Sequence, residues 1–275
     1  MTTYDPAGLP LPLSGDTRLY MIIGDPIAQV GSPQLFNPAF RRAGVRAVLF
    51  PAHVARSGLA AFLQGLRQLR NLDGIIVTVP HKIDVMAHVD RIGPNARAIG
   101  AVNVVRCMPD GAWVGDNFDG HGCVSALIAS GHRLAGRQAL LVGAGGAGTA
   151  VAHAMAQAGI ARLRLCDPDG ERVRRLAGAL AVAHPALAIE QDGPDPEGFD
   201  LLVNCSPLGM RADDPLPIDP ERIASGSLVV DAVLKPAISP LLERARQRGC
   251  IVQPGARMLE GQVEAVLGFF GLPAA

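Results

Sequence analysis

Aromatic residues make up only 4% of this 275-residue chain, so any core must be assembled from Ala, Val, Leu and Ile. Charge is also sparse at 18%, and 25 basic residues cancel 25 acidic ones. Without a net field to recruit polyanions, nucleic acid and anionic lipid are excluded as principal partners. No run reaches the roughly 18–20 apolar residues of a membrane span. Residues 1–18 have neither a basic start nor a long apolar core. They read as a loose lead-in rather than a secretory signal, and a cytoplasmic location is expected. Cys107, Cys123, Cys166, Cys205 and Cys250 show no CxxC spacing and are odd in number, which suits free buried thiols. The seven histidines fall in no metal-ligand pattern, so no metal is expected.

What the chain does have is 49% hydrophobic residues, 32 Gly and 22 Pro, the mix of a globular α/β protein with many tight turns. Its length suits two domains. Short apolar runs alternate with longer helical patterns, the signature of βα units. Strands are expected over residues 19–24, 46–52 and 74–79, with helices over 33–43 and 57–69. A strand pair over 101–106 and 112–115 flanks a Pro109-Asp110-Gly111 turn. A second unit follows Gly120: a helix over 122–130, strands over 138–143, 162–167, 200–205 and 227–231, and helices over 170–181, 238–249 and 259–270. Residues 191–198 read as a surface loop.

Gly143, Ala144, Gly145, Gly146, Ala147 and Gly148 form a GxGxxG run between a buried strand and an Ala-rich helix. Glycines there permit a tight turn and let the backbone approach a pyrophosphate, which the helix N-terminus attracts. Asp167 closes the next strand, where a carboxylate can accept hydrogen bonds from the adenosine ribose and repel a 2′-phosphate. NAD is therefore expected over NADP, although Arg172 and Arg174 lie a few residues on.

Further segments resemble the shikimate/quinate dehydrogenase family. They are Gly24-Asp25-Pro26 leading to Ser32-Pro33, Val77-Thr78-Val79-Pro80-His81-Lys82, Gly100-Ala101-Val102-Asn103, and Gly115-Asp116-Asn117-Phe118-Asp119-Gly120. Near the C-terminus come Asn204-Cys205-Ser206-Pro207 and Gly255-Ala256-Arg257-Met258, ending at Gln262. The resemblance implies a two-domain α/β fold. Residues 1–120 would bind substrate, with residues 257–275 packing back on them, and residues 121–256 would form a Rossmann-type dinucleotide domain. It makes Lys82 and Asp119 the catalytic pair. Ser32, Thr78, Asn103 and Gln262 would grip the substrate, and Gly255 and Met258 would lie beside the nicotinamide. Asn204, Ser206 and Val233 would lie along the dinucleotide, though Asn204 equally suits a turn. The implied reaction is hydride transfer between a nicotinamide and a secondary alcohol or ketone of a hydroxylated ring carboxylate, by a monomer or homodimer.

Four positions depart from the family pattern, each with an apolar side chain where the resemblance implies a hydrogen-bonding one: Val30, Ile76, Phe118 and Leu234. Losing such a bond to a charged group costs about 1.5–3 kcal/mol, so the pocket is expected to be re-cut for a less polar relative of shikimate or quinate. The competing reading is a dinucleotide-binding sensor with little turnover; retention of both Lys82 and Asp119 argues against it.

Overall fold

The computed structural model describes residues 13–211 and 213–274; most of the Pro-rich lead-in lies outside them. The chain divides into two compact units. Unit one runs up to Phe118 and resumes at Val263; unit two is Asp119–Gln262.

In unit one, β1 (Arg18–Gly24), β2 (Ala47–His53) and β3 (Leu72–Val77) are parallel. β4 (Arg91–Ile92), β5 (Val104–Cys107) and β6 (Trp113–Asp116) complete a six-stranded sheet in the order β2-β1-β3-β5-β6-β4, with β5 antiparallel to both neighbours. Successive side chains of a strand face opposite sides of its sheet. Met21 and Ile23 accordingly join Leu59 and Leu63 of α2 (Leu59–Leu66) and Ala96 of α3 (Pro94–Ile99). Tyr20 and Ile22 join Phe36 and Phe40 of α1 (Ser32–Arg42) on the other face. That second face is completed from the far end of the chain. In α9 (Val263–Phe270), Val266, Leu267 and Phe270 are buried, and the Phe270 ring lies 4.8 Å from Tyr20. Gly74 makes room for it, because a Cβ there would sit 2.4 Å from Phe270 Cε1.

Unit two starts with α4 (Asp119–Ala129) and is built on a wholly parallel sheet. Its strands are β7 (Gln138–Val142), β8 (Arg162–Cys166), β9 (Ala188–Gln191), β10 (Leu201–Asn204), β11 (Leu228–Asp231) and β12 (Ile251–Gln253). Their order, β12-β11-β10-β7-β8-β9, is the doubly wound Rossmann order, with the reversal between β7 and β10. Ala139 and Leu141 face α4, α5 (Gly146–Gln157) and α6 (Gly170–Ala183). Leu140 and Val142 face α7 (Pro240–Gln247).

The helix expected over residues 259–270 is two helices, α8 (Gly255–Gly261) and α9, parted at Gln262. α8 stays in unit two because Gly122 of α4 and Gly261 press together: a Cβ on Gly261 would lie 2.2 Å from the Gly122 carbonyl oxygen. The short β4, β9, β12 and α3 carry too few residues for a periodic signal and are not legible in sequence. The five cysteines are free, and burial pushes the Cys107 and Cys123 thiols up to about 12.

His153 of α5 is 5% exposed, and its Nε2 has no partner among the described residues. Burial, reinforced by nearby His184, lowers its pKa. The unfolded chain takes up the proton below about pH 6.5 while the folded chain resists it, so this contribution to stability is present above that pH and is lost as the pH falls below it. The melting temperature should drop less steeply between about pH 7.5 and 5.5 in His153→Leu than in wild type; parallel curves would remove His153 from the account. Gly74→Ala should destabilise the protein by about 1–3 kcal/mol through overpacking against Phe270. An unchanged thermal midpoint would contradict the placement of α9.

Candidate functional site

In unit one the expected residues gather at the carboxyl edge of the parallel strands. The chain leaving β3 is stitched on both sides. Thr78 donates its N–H to the Ile23 carbonyl at 3.0 Å, and Asp25 donates to Val79 at 2.9 Å. Gly24 makes this approach possible, since a Cβ there would fall 2.5 Å from Thr78 Cγ2. Val77 donates to Asn103 at 2.7 Å, and Val102 donates to the Lys82 carbonyl at 2.8 Å. Asn103 in turn donates its N–H to Asp116 at 3.0 Å and accepts from the Phe118 N–H on Oδ1 at 2.9 Å. Thr78, Lys82 and Asn103 are thus fixed by neighbouring backbone rather than by a mobile loop. Ser32 opens α1 and is 7% exposed.

Two supporting groups escape a reading of the sequence. His81 is fully buried, its Nε2 lies 2.7 Å from the Val54 carbonyl, and its Nδ1 has no partner among the described residues. Asp116 accepts from the N–H groups of Ala96 at 2.7 Å and Asn117 at 2.9 Å, tying α3 to the end of β6. Composition carries a third signal: the only lysines in the chain are Lys82 and Lys235, and every other Lys/Arg position is arginine. Guanidinium cannot release its proton in a protein, whereas an ammonium can.

In unit two, Asp119 is the first residue of α4 and is 7% exposed. Gly120 lets that helix start against α5, because a Cβ there would lie 2.0 Å from the Ala150 carbonyl oxygen. Gln262, also 7% exposed, caps α8. Gly255 allows α8 to begin against the loop after β11; a Cβ there would meet the Val233 oxygen at 2.5 Å. Met258 is half-buried beside the core.

The glycine run lies at the sheet's switch point, between β7 and α5. Gly143 has a φ of +98° and passes against the backbone of Cys205 and Ser206, where a Cβ would come within 2.7 Å. Gly148 crosses the Gly143 carbonyl so closely that a Cβ would sit 1.8 Å from its oxygen. Gly145 and Gly146 face open space, and no side chain caps the N-terminus of α5. The result is a concave run of backbone at a helix start, shaped for a phosphate group.

Several polar side chains near this loop are spent on building it. Asn204 donates through Nδ2 to the Leu208 carbonyl and to Asp231, and its Oδ1 accepts from the Ser206 N–H and hydroxyl. Asp231 is fully buried and also accepts from the Val233 N–H at 3.0 Å and the Ser239 hydroxyl at 2.5 Å. Burial raises its pKa, and these donors oppose the rise. Asp167 accepts from the Ala144 N–H at 2.7 Å and the Asp169 N–H at 2.9 Å.

No group of three or more His, Cys, Asp or Glu among the described residues is arranged to hold a metal. No described helix is long and apolar enough to cross a membrane.

Residues 22–105 match the shikimate dehydrogenase substrate binding domain family. The chain is 40% identical over 269 residues to the shikimate dehydrogenase (NADP(+)) of Rubrobacter xylanophilus, covering 94% of this chain and 93% of that one. Among solved structures it resembles shikimate 5-dehydrogenase from Thermus thermophilus in complex with NADP(H) and shikimate. The TM-score is 0.85 at 28% identity, over 94% of this chain and 95% of that one. It also resembles the ligand-free 5-ketofructose reductase of a Gluconobacter species, with a TM-score of 0.84 at 26% identity over 94% and 95%.

These relatives overturn the expectation of NAD: the Rubrobacter protein and further curated relatives are named for NADP(+). The physical reason lies in Asp167, which the sequence presents as an open acceptor facing the ribose. Both of its oxygens instead accept from backbone N–H groups of the glycine loop and of the turn after β8. Arg172 and Arg174 stand on the first turns of α6 close by. With the Rossmann order, the glycine loop and 40% identity along nearly the whole length in agreement, this chain belongs to the shikimate dehydrogenase family.

Proposed function

We propose that the protein is an NADP-linked dehydrogenase that interconverts a secondary alcohol and a ketone on a hydroxylated ring carboxylate close to shikimate or quinate. The observation that carries this reading is Lys82: one of two lysines in an arginine-dominated chain, at the carboxyl edge of a parallel sheet and held beside Thr78 and Asn103. An amine is the basic side chain able to take and return a proton there.

The glycine loop and the uncapped start of α5 suit a dinucleotide pyrophosphate, with Gly143, Ala144, Gly145, Gly146 and Ala147 as the cradle. Arg172 and Arg174 are suited to a 2′-phosphate. Asn204, Ser206, Val233, Gly255 and Met258 would shape the rest of the run. When bound, the nicotinamide supplies the hydride acceptor or donor. Lys82 would take the hydroxyl proton as the carbonyl forms and return it in reverse. Asp119, the other member of the catalytic pair that the family pattern implies, would act on the substrate hydroxyls. Thr78, Asn103 and Gln262 would hold ring hydroxyls, and Ser32 the carboxylate. Unit one would thus carry most of the substrate contacts, joined by Asp119 and Gln262 of unit two, and the rest of unit two would serve the dinucleotide.

Three of the four apolar departures support a narrowed substrate range. Val30, Ile76 and Phe118 pack in one hydrophobic cluster with α9, and the Phe118 ring lies 5.2 Å from Phe269. They form a coherent apolar wall where the family pattern implies hydrogen bonds, so the favoured substrate would carry fewer polar substituents on that side. Leu234, in unit two, is 38% exposed and stands apart from this wall.

Turnover followed through nicotinamide absorbance, with shikimate, quinate and 5-ketofructose as test compounds, examines the proposal. Lys82→Ala should lower kcat by roughly 100- to 10,000-fold, as expected for loss of an acid–base group, while NADP(H) still binds. Tight NADP(H) binding with no turnover of any compound by the wild type would instead favour the sensor. The double variant Val30→Ser with Phe118→Thr should raise kcat/KM for shikimate about tenfold, the value of one regained hydrogen bond. No gain would reduce these residues to packing.

A further inference from the structure

A cavity of about 320 Å³ opens at the opposite edge of the unit-one sheet. It is lined by the first residues of β1, β3 and β6 (Arg18, Leu72 and Trp113) and the last residue of β5 (Cys107). The six residues of β3 put about 20 Å between this edge and Thr78. Nothing in the proposed chemistry uses it.

Its wall carries three guanidinium groups and a single carboxylate. Arg18 binds Asp73 in a bidentate pair and also reaches the Arg70 carbonyl. Arg67 is held by Asp90 and the His88 carbonyl and lies over the Trp113 ring, 4.4 Å from its centroid. Arg70 alone of the three has no side-chain partner among the described residues, and it is exposed. The apolar side chains that reach its open surface are Leu69, 41% exposed, Pro109 and the half-buried Met108. An uncommitted cation beside a few exposed apolar side chains selects a small ligand with one negative charge and one apolar face.

We propose that this cavity is a second binding site, for a small organic carboxylate, with Arg70 pairing with the carboxylate and Leu69 and Pro109 covering the apolar part. A neutral isostere leaves Arg70 unpaired, and an amine meets the uncompensated charge of Arg70.

Trp113 is the chain's single tryptophan and lies in the cavity wall, so its fluorescence reports occupancy. The experiment titrates the full-length protein with sodium benzoate, benzamide and benzylamine, and the Arg70 and Leu69 variants assign the response to this cavity. Benzoate should give a saturable change and the other two should not. Arg70→Gln should weaken benzoate at least tenfold, and Leu69→Glu, which sets a carboxylate at the mouth, should weaken it as well; steady-state turnover of both variants should match wild type. An equal response to benzamide or an unchanged benzoate affinity in Arg70→Gln would overturn the proposal.

Discussion

Along α4 the backbone touches the backbones of two other helices with no side chain between them. At Gly120 it meets the carbonyl of Ala150 in α5, and at Gly122 it meets the carbonyl of Met258 in α8. Gly261 returns the contact from α8. Glycine is the only residue that permits this, since every gap is smaller than a carbon–oxygen contact. The close approach sets where three candidate site features of unit two lie: Asp119 at the head of α4, the uncapped start of α5, and Gln262 at the end of α8. Side chains of ordinary size would hold these helices at the usual 8–10 Å separation and disperse the three features.

Polar groups in this protein spend much of their hydrogen-bonding capacity on positioning backbone. Asn204, Asp231 and Ser239 lock the ends of β10 and β11 to the start of α7, and Asp116 does the same for α3 and β6. Asp167 belongs with them. A buried or half-buried carboxylate that accepts from backbone N–H groups holds the local backbone in place whatever else it binds.

The long elements are readable in the sequence because both faces of each sheet are covered and the buried strands read as unbroken Val/Ile/Leu runs. The glycine loop is equally readable, since its geometry demands residues without a Cβ. The break at Gln262 is hidden, as residues 259–270 keep helical apolar spacing across it and only the contact of Gly261 with Gly122 explains which helix goes where. The cofactor expectation failed for a related reason. A carboxylate at the end of a second strand looks the same in sequence whether its oxygens face solvent or the preceding loop. The apolar departures could be named from sequence, but that Val30, Ile76 and Phe118 share one apolar cluster, with Phe118 against Phe269, depends on where α9 returns.

The return of α9 also orders events during synthesis. Phe270 fills the face of the first sheet around Tyr20, yet it is synthesised only after the whole of unit two. Asp119–Gln262 is contiguous and complete before that point. The usual order, in which the N-terminal part of a chain settles first, is therefore reversed: the segment up to Phe118 must wait, its aromatic face uncovered, for α9 to arrive.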